Sequence, residues 1–467
     1  MEKLTPILFF LGFFNLALNA QLICFDFPAD TFATQGFPTS ITAADYNGDG
    51  FDDLAVCHYD GEFFSIMLND GAGNFPESVK YSLDFGTYWS TARKIVAAKI
   101  NNDDIIDLAI IGYYDFIYMG NGDGTFYKST TIDLGCNSED AVAGYFNQDE
   151  FIDLAIIHDD NSTMSILFGE YTGTFQEMHI YYVMGRTPKR IANGDFNEDG
   201  ITDLVVCNYG LPNGLETGLV LFVGNALGAF QPFVISQENY PESVAVGDFN
   251  HDNHQDIIFK RYDRWLYKLW GNGDGTFQEP EVEDISAIYY AVYLHTVDID
   301  SDSLPDLAMG GRYFNMHIND GSGMFADTLF INEKSNYKNV NELVIGNFNG
   351  DAKPDIVSTH HIGDDWTYGS LTVYLNCLPV DVPEKDNQEE TVSLYPNPGN
   401  GHLRILTGHS PGKLELGGIF DCTGREVYEG DFSWSGQYLD LSSLNPGLYI
   451  IRFKCRNNII SKKVIIN

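Results

Sequence analysis

The run Asp45-Tyr46-Asn47-Gly48-Asp49-Gly50-Phe51-Asp52-Asp53-Leu54-Ala55-Val56 decides the reading of this chain. Oxygen-bearing side chains stand at positions 1, 3, 5 and 9 of its first nine residues, and an apolar run follows at once. The pattern D-x-[DN]-x-D-x-x-x-D recurs in full at Asp195–Asp203, Asp248–Asp256 and Asp298–Asp306. Degenerate copies stand at Lys99–Asp107, Tyr145–Asp153 and Asn347–Asp355, so that seven copies start 46 to 54 residues apart. Each leads into aliphatic and β-branched residues that favour a buried strand. Six then carry a glycine turn ending in Phe, at Asn69–Phe75, Gly120–Phe126, Gly169–Phe175, Gly224–Phe230, Gly271–Phe277 and Asn319–Phe325.

Repeats of this length predict one propeller blade each. The fold class is therefore all-β, a seven-bladed β-propeller. The seventh repeat stops at Cys377, before its turn and last strand, while Leu22–Phe32 precede the first loop with nothing to pair with. That N-terminal segment is expected to complete the last blade, since ring closure removes open sheet edges. The acidic loop with its Gly-x-Gly-x-Phe turn resembles the FG-GAP or VCBS-type repeats of the integrin α-subunit propeller, over roughly residues 22–377. The resemblance implies four-stranded blades with the acidic loops joining first and second strands on one face.

Side-chain oxygens spaced this way can converge on one hard cation, and calcium accepts six to eight oxygens in flexible geometry. The expected ligand sets are Asp45, Asn47, Asp49 and Asp53; Asp195, Asn197, Asp199 and Asp203; Asp248, Asn250, Asp252 and Asp256; and Asp298, Asp300, Asp302 and Asp306. Asn347, Asn349, Asp351 and Asp355 form a weaker fifth set, so about four to five structural Ca2+ sites are expected. Lys99 and Tyr145 replace the first ligand in the second and third loops, which are expected to be empty or weak. The competing reading is a set of solvated turns bonded to their own backbone.

At the far end of each second strand stand His58, Tyr59, Tyr113, His158, Tyr209, Arg261, Tyr262 and His360. Such a polar and aromatic ring suits a glycan or protein ligand on the face opposite calcium. Alternatively, these residues cap the blade core. The leading expectation is a binding or adhesion module. The alternative is a secreted polysaccharide-degrading lyase or hydrolase using His and Tyr as base and acid, although no catalytic set stands out.

The formal charge of −40 opposes nucleic acid and anionic membranes. Met1-Glu2-Lys3 and the apolar run Leu4–Leu18 read as a signal peptide cleaved after Ala20, and no other stretch predicts a membrane span. The expected organisation is signal peptide 1–20, propeller 21–377, linker 378–390 and a last domain 391–467. That domain carries Leu394-Tyr395-Pro396-Asn397-Pro398-Gly399-Asn400-Gly401, Leu444-Asn445-Pro446-Gly447-Leu448-Tyr449 and Lys462-Lys463-Val464-Ile465-Ile466. It resembles the type IX secretion sorting domain, which implies a small β-sandwich, a partner in the secretion machinery and placement on or beyond the surface of a Bacteroidota-type bacterium.

Seven cysteines leave at least one unpaired in an oxidising compartment. Cys57 and Cys207 read as small buried side chains. Cys24 and Cys377 stand where the two ends of the propeller meet, which leaves two readings open, a disulfide between them or two buried free thiols.

Overall fold

The computed structural model describes residues 24–25, 30–34, 36–59, 63–83, 92–210, 218–238, 240–261, 265–284, 291–311, 314–323, 325, 327–331, 337–351, 353–362 and 369–377. In the C-terminal part it describes 392–395, 402–407, 414–421, 427, 438–441, 444, 447–455 and 458–466. Tyr262 and the leader at 1–20 lie outside the described residues.

Among the described residues seven antiparallel four-stranded sheets form the blades. Blade 1 runs Pro38–Ala44, Asp53–His58, Phe63–Leu68 and Glu77–Ser82 from inside to outside. Each inner strand packs beside the inner strand of the next blade, and Tyr337–Gly346 of blade 7 packs beside Pro38–Ala44. The ring is closed. Its second strands, such as Asp107–Gly112 and Asp153–His158, are buried on both faces, which is why they read as unbroken apolar runs rather than alternating ones.

Closure uses less of the N-terminus than expected. Asp30–Thr34 pairs with Gly369–Tyr374 as the outer strand of blade 7, from Asp30 against Val373 to Thr34 against Gly369. Cys24–Phe25 instead pairs with Asn376–Cys377 in a separate two-stranded sheet. The expectation that Cys24 sits in the closing strand is corrected: that strand begins six residues later, where Phe32 can meet Phe75 edge-on at 5.6 Å across the seam.

Blades pack through large apolar side chains, with Phe64, Tyr81, Tyr118 and Phe126 interlocking blades 1 and 2. The turn glycines follow from that packing. Gly173 has φ +75, and a Cβ there would lie 2.3 Å from the Met119 methyl of the preceding blade. Gly323 meets the Trp270 ring in the same way.

The C-terminal unit, by itself, has two three-stranded sheets among its described residues. One comprises Val392–Tyr395, His402–Thr407 and Tyr438–Asp440, the other Leu414–Asp421, Gly447–Cys455 and Asn458–Ile466. Ile419, Leu439, Ile451 and Val464 are buried in it.

Candidate functional site

The last Asp of every loop is fully buried, in all seven copies: Asp53, Asp107, Asp153, Asp203, Asp256, Asp306 and Asp355. Its two oxygens accept from two backbone N–H groups. In blade 3, Asp153 accepts from Phe146 at 2.8 Å and from Gly169 at 2.9 Å; in blade 4, Asp203 accepts from Phe196 at 3.1 Å and from Gly224 at 2.7 Å. The carboxylate thus staples the loop's second residue to the end of the third strand. Burial pushes Asp153 up to about 6. The staple persists in the second and third loops, where Lys99 and Tyr145 replace the first ligand, so this Asp has a structural task beside any metal.

Asp153→Ala should therefore destabilise the propeller by about 2–4 kcal/mol by leaving two buried donors unpaired, with or without calcium. Asp149→Ala, on an exposed side chain of the same loop, should change stability by a few tenths only. Urea titration in chelator checks this, and equal midpoints for the two variants would refute the staple.

The first Asp of the full loops folds the turn. Asp45 accepts from the N–H groups of Gly48, Asp49 and Gly50 at 2.7, 3.1 and 2.9 Å, and Asp195, Asp248 and Asp298 accept from the counterparts of the last two. Asp298, Asp300 and Asp306 bring carboxylate oxygens within 4.8 Å of one another. Burial, then the neighbouring Asp302, pushes Asp300 up to about 6. Crowded hard anions of this kind fit a hard divalent cation. The weaker loops hold ammonium groups of their own. Lys99 bonds Asp104 at 2.9 Å, and Lys353 places its ammonium 3.9 Å from Asp351, with Asp355 also acting on it.

On the opposite face the structure divides the expected ring. His58, His158 and His360 are buried and corrected as surface contacts: they bond Ser65 at 3.0 Å, Ser165 at 2.8 Å and Ser358 at 2.6 Å. Burial pushes His58 and His158 down to about 4, which keeps them neutral. Tyr59 and Tyr113 are exposed, at 48% and 49%. Tyr209 is half-buried against Tyr240 at 5.2 Å, and half-buried Arg261 bonds Glu238 at 2.9 Å and Tyr267 at 2.8 Å. Cys57 and Cys207 are fully buried free thiols, raised by burial. The side chains of Cys24 and Cys377 lie outside the described residues.

A further polar layer lies where the inner strands meet. Each carries a β-bulge at the same place, and the residue after it is Ser40, Lys94, Asp140, Arg190, Ser243, Tyr293 or Glu342. Such bulges re-aim side chains. Ser40, Asp140, Ser243 and Glu342, on blades 1, 3, 5 and 7, accept the N–H of Ile95, Ile191, Leu294 and Ile41 on the next blade. Blades 2, 4 and 6 hold the long residues between them. Lys94 bonds Glu342 at 2.6 Å and lies 3.9 Å from Asp140, while the Arg190 guanidinium stands 4.8 Å from the Tyr293 ring centre. These pairs skip blades 1 and 5, whose short serines leave room for the reach.

The FG-GAP-like repeat family matches residues 45–110 and 195–259, and the family described as secretion system C-terminal sorting domain matches residues 393–467. This chain is a seven-bladed propeller of FG-GAP-like repeats with a secretion sorting tail. The sorting tail marks it as secreted or displayed on the cell surface. No curated protein matches it significantly. Among solved structures it is similar to BBS1N, described in complex with ARL6DN (11% identity, TM-score 0.50, 74% of this chain and 96% of that one). It is also similar to Chaetomium thermophilum Raptor (11%, 0.50), covering 76% of this chain and 29% of Raptor's. An Agrocybe aegerita lectin described as recognising non-reducing terminal N-acetylglucosamine matches at 15% and a TM-score of 0.47, over 66% of this chain and 81% of the lectin. At such identities the likeness to BBS1N and Raptor shows the fold alone.

Within the FG-GAP-like repeats the bulge layer always falls five residues before the first loop position, from Ser40 before Asp45 to Glu342 before Asn347. Charged residues at that fixed offset, Lys94, Asp140, Arg190 and Glu342, were the signal that sequence reasoning passed over. Among the described residues no helix is long and apolar enough to cross a membrane.

Proposed function

We propose that this secreted propeller is a calcium-held binding module that engages a glycan or protein ligand on the face opposite the acidic loops. The observation that carries the metal half is the convergence of Asp298, Asp300 and Asp306. Calcium bound by the four full loops would neutralise carboxylates that otherwise repel one another. The metal's task in this reading is structural, since the first carboxylate of each full loop also folds the turn by accepting its backbone N–H groups. At a hundredfold excess over the dissociation constant each site would add about 2.7 kcal/mol. Chelation should therefore lower the melting temperature. Asp199→Ala should remove more of the calcium-dependent increment than Asp149→Ala, whose loop begins with Tyr145. Melting of metal-stripped protein with and without added calcium tests this, and coincident curves would refute it.

The ligand half rests on exposed Tyr59 and Tyr113, amphipathic side chains at strand ends that each meet one neighbouring ring edge-on. Glycan-array binding by the full chain, and its loss in Tyr113→Ala, is the expected result. The buried histidines weaken the enzymatic alternative, because a general base must reach the proton it removes.

A further inference from the structure

The repeats depart from their own pattern at one place on the loop face. Four glycine turns carry Gly at the third position (Gly71, Gly122, Gly273, Gly321), where blade 3 has Tyr171. At the fourth position Ala72, Asp123, Thr172, Asp274 and Ser322 are small or polar, whereas blade 4 has Leu227. Tyr171 and Leu227 are 63% and 85% exposed, and they border one groove of about 550 Å³. That size lies in the ~300–1,000 Å³ range of small-ligand sites. The third acidic loop lines it through Asn147, Asp149 and Phe151, and that loop begins with Tyr145 and so lacks the first carboxylate of a metal set.

The geometry points to this groove as a binding site for a non-anionic saccharide. Tyr171 is braced edge-on against Phe151 at 6.4 Å, which leaves an exposed ring for the apolar C–H face of a sugar. Around it the acceptors are held in place. Asp149 takes the Asn147 amide at 2.8 Å, and Glu170 takes the Thr174 hydroxyl at 2.5 Å and the Gln176 amide. Each carboxylate keeps unused lone pairs for ligand hydroxyl donors. A saccharide offers several hydroxyl donors beside an apolar C–H face, which suits acceptors set around an exposed aromatic ring. The two carboxylates, on a chain of charge −40, repel uronates and sulfated sugars. The site is distinct from the face proposed above and does not depend on it.

The test uses the full chain in excess calcium. Saturation-transfer NMR and titration calorimetry are run with glucose, mannose, galactose and N-acetylglucosamine, with glucuronate and galacturonate, and with a Lys-rich peptide. At least one neutral sugar should bind, with both uronates at least about tenfold weaker. Tyr171→Ala should weaken binding by about tenfold or more, equivalent to ~1.4 kcal/mol, with an unchanged melting curve. Glu170→Gln should also weaken it, and Tyr127→Ala, on the exposed outer strand of blade 2, should not. Failure of all neutral sugars at millimolar concentration, binding of the basic peptide alone, or full binding by both groove variants would overturn the inference. Loss in Tyr113→Ala with retention in Tyr171→Ala would overturn it while leaving the opposite-face reading intact.

Discussion

Glu342→Leu is expected to destabilise the propeller by about 3–5 kcal/mol, because it leaves the partly buried Lys94 without its closest counter-charge and the buried Ile41 N–H without its acceptor. Glu342 is 5% exposed, and one carboxylate serves two neighbours: Lys94 at 2.6 Å and the Ile41 N–H at 3.2 Å. The loss should be felt at the seam, since Glu342 belongs to blade 7 while its partners lie on blades 2 and 1. Lys94→Met in the same background should recover much of the loss, as replacing both members of a buried pair by apolar residues is often neutral. Urea denaturation of the single and double variants in calcium measures the coupling. A single variant within about 0.5 kcal/mol of wild type, or a double variant no better than the single, would refute the claim.

Reduction of a Cys24–Cys377 bridge is expected to cost about 5 kcal/mol, by the chain-entropy account in which long loops gain most. The bridge is a proposal that rests on placement. Cys24–Phe25 and Asn376–Cys377 are paired strands, and paired strands hold facing Cα atoms at ~4.5–5.5 Å, within disulfide range. The loop it would close contains every blade. Cys57, Cys136 and Cys207 are free thiols, so they do not compete for either partner. Non-reducing peptide mapping of the exported protein should recover the two residues as one cross-linked species. Recovery of both as free thiols, or an unfolding midpoint that does not respond to reductant, would refute the bridge.

Much of this architecture was legible from the chain alone, because the deciding signals are local. Asp and Asn at alternate positions, a strand of β-branched residues and a glycine turn all fall within one repeat, and seven repetitions make accident untenable. The sorting tail was legible for the same reason. Its short motifs specify their own turns.

What only the tertiary structure decided concerns residues that meet across blades. Glu342 and Lys94 lie 248 positions apart and touch because the ring closes. His58, His158 and His360 stand five residues after the last loop Asp and exposed Tyr59 and Tyr113 six, and only the folded blade shows that the fifth position is covered and bonded to serine while the sixth is open. The last Asp of five loops read as a metal ligand, and the fold added, in all seven, its staple to two backbone N–H groups, one of them on a strand end 13 to 21 residues away. Local spacing can specify a ligand set. Burial and long-range pairing are properties of the closed ring, and they depend on which blade stands next to which.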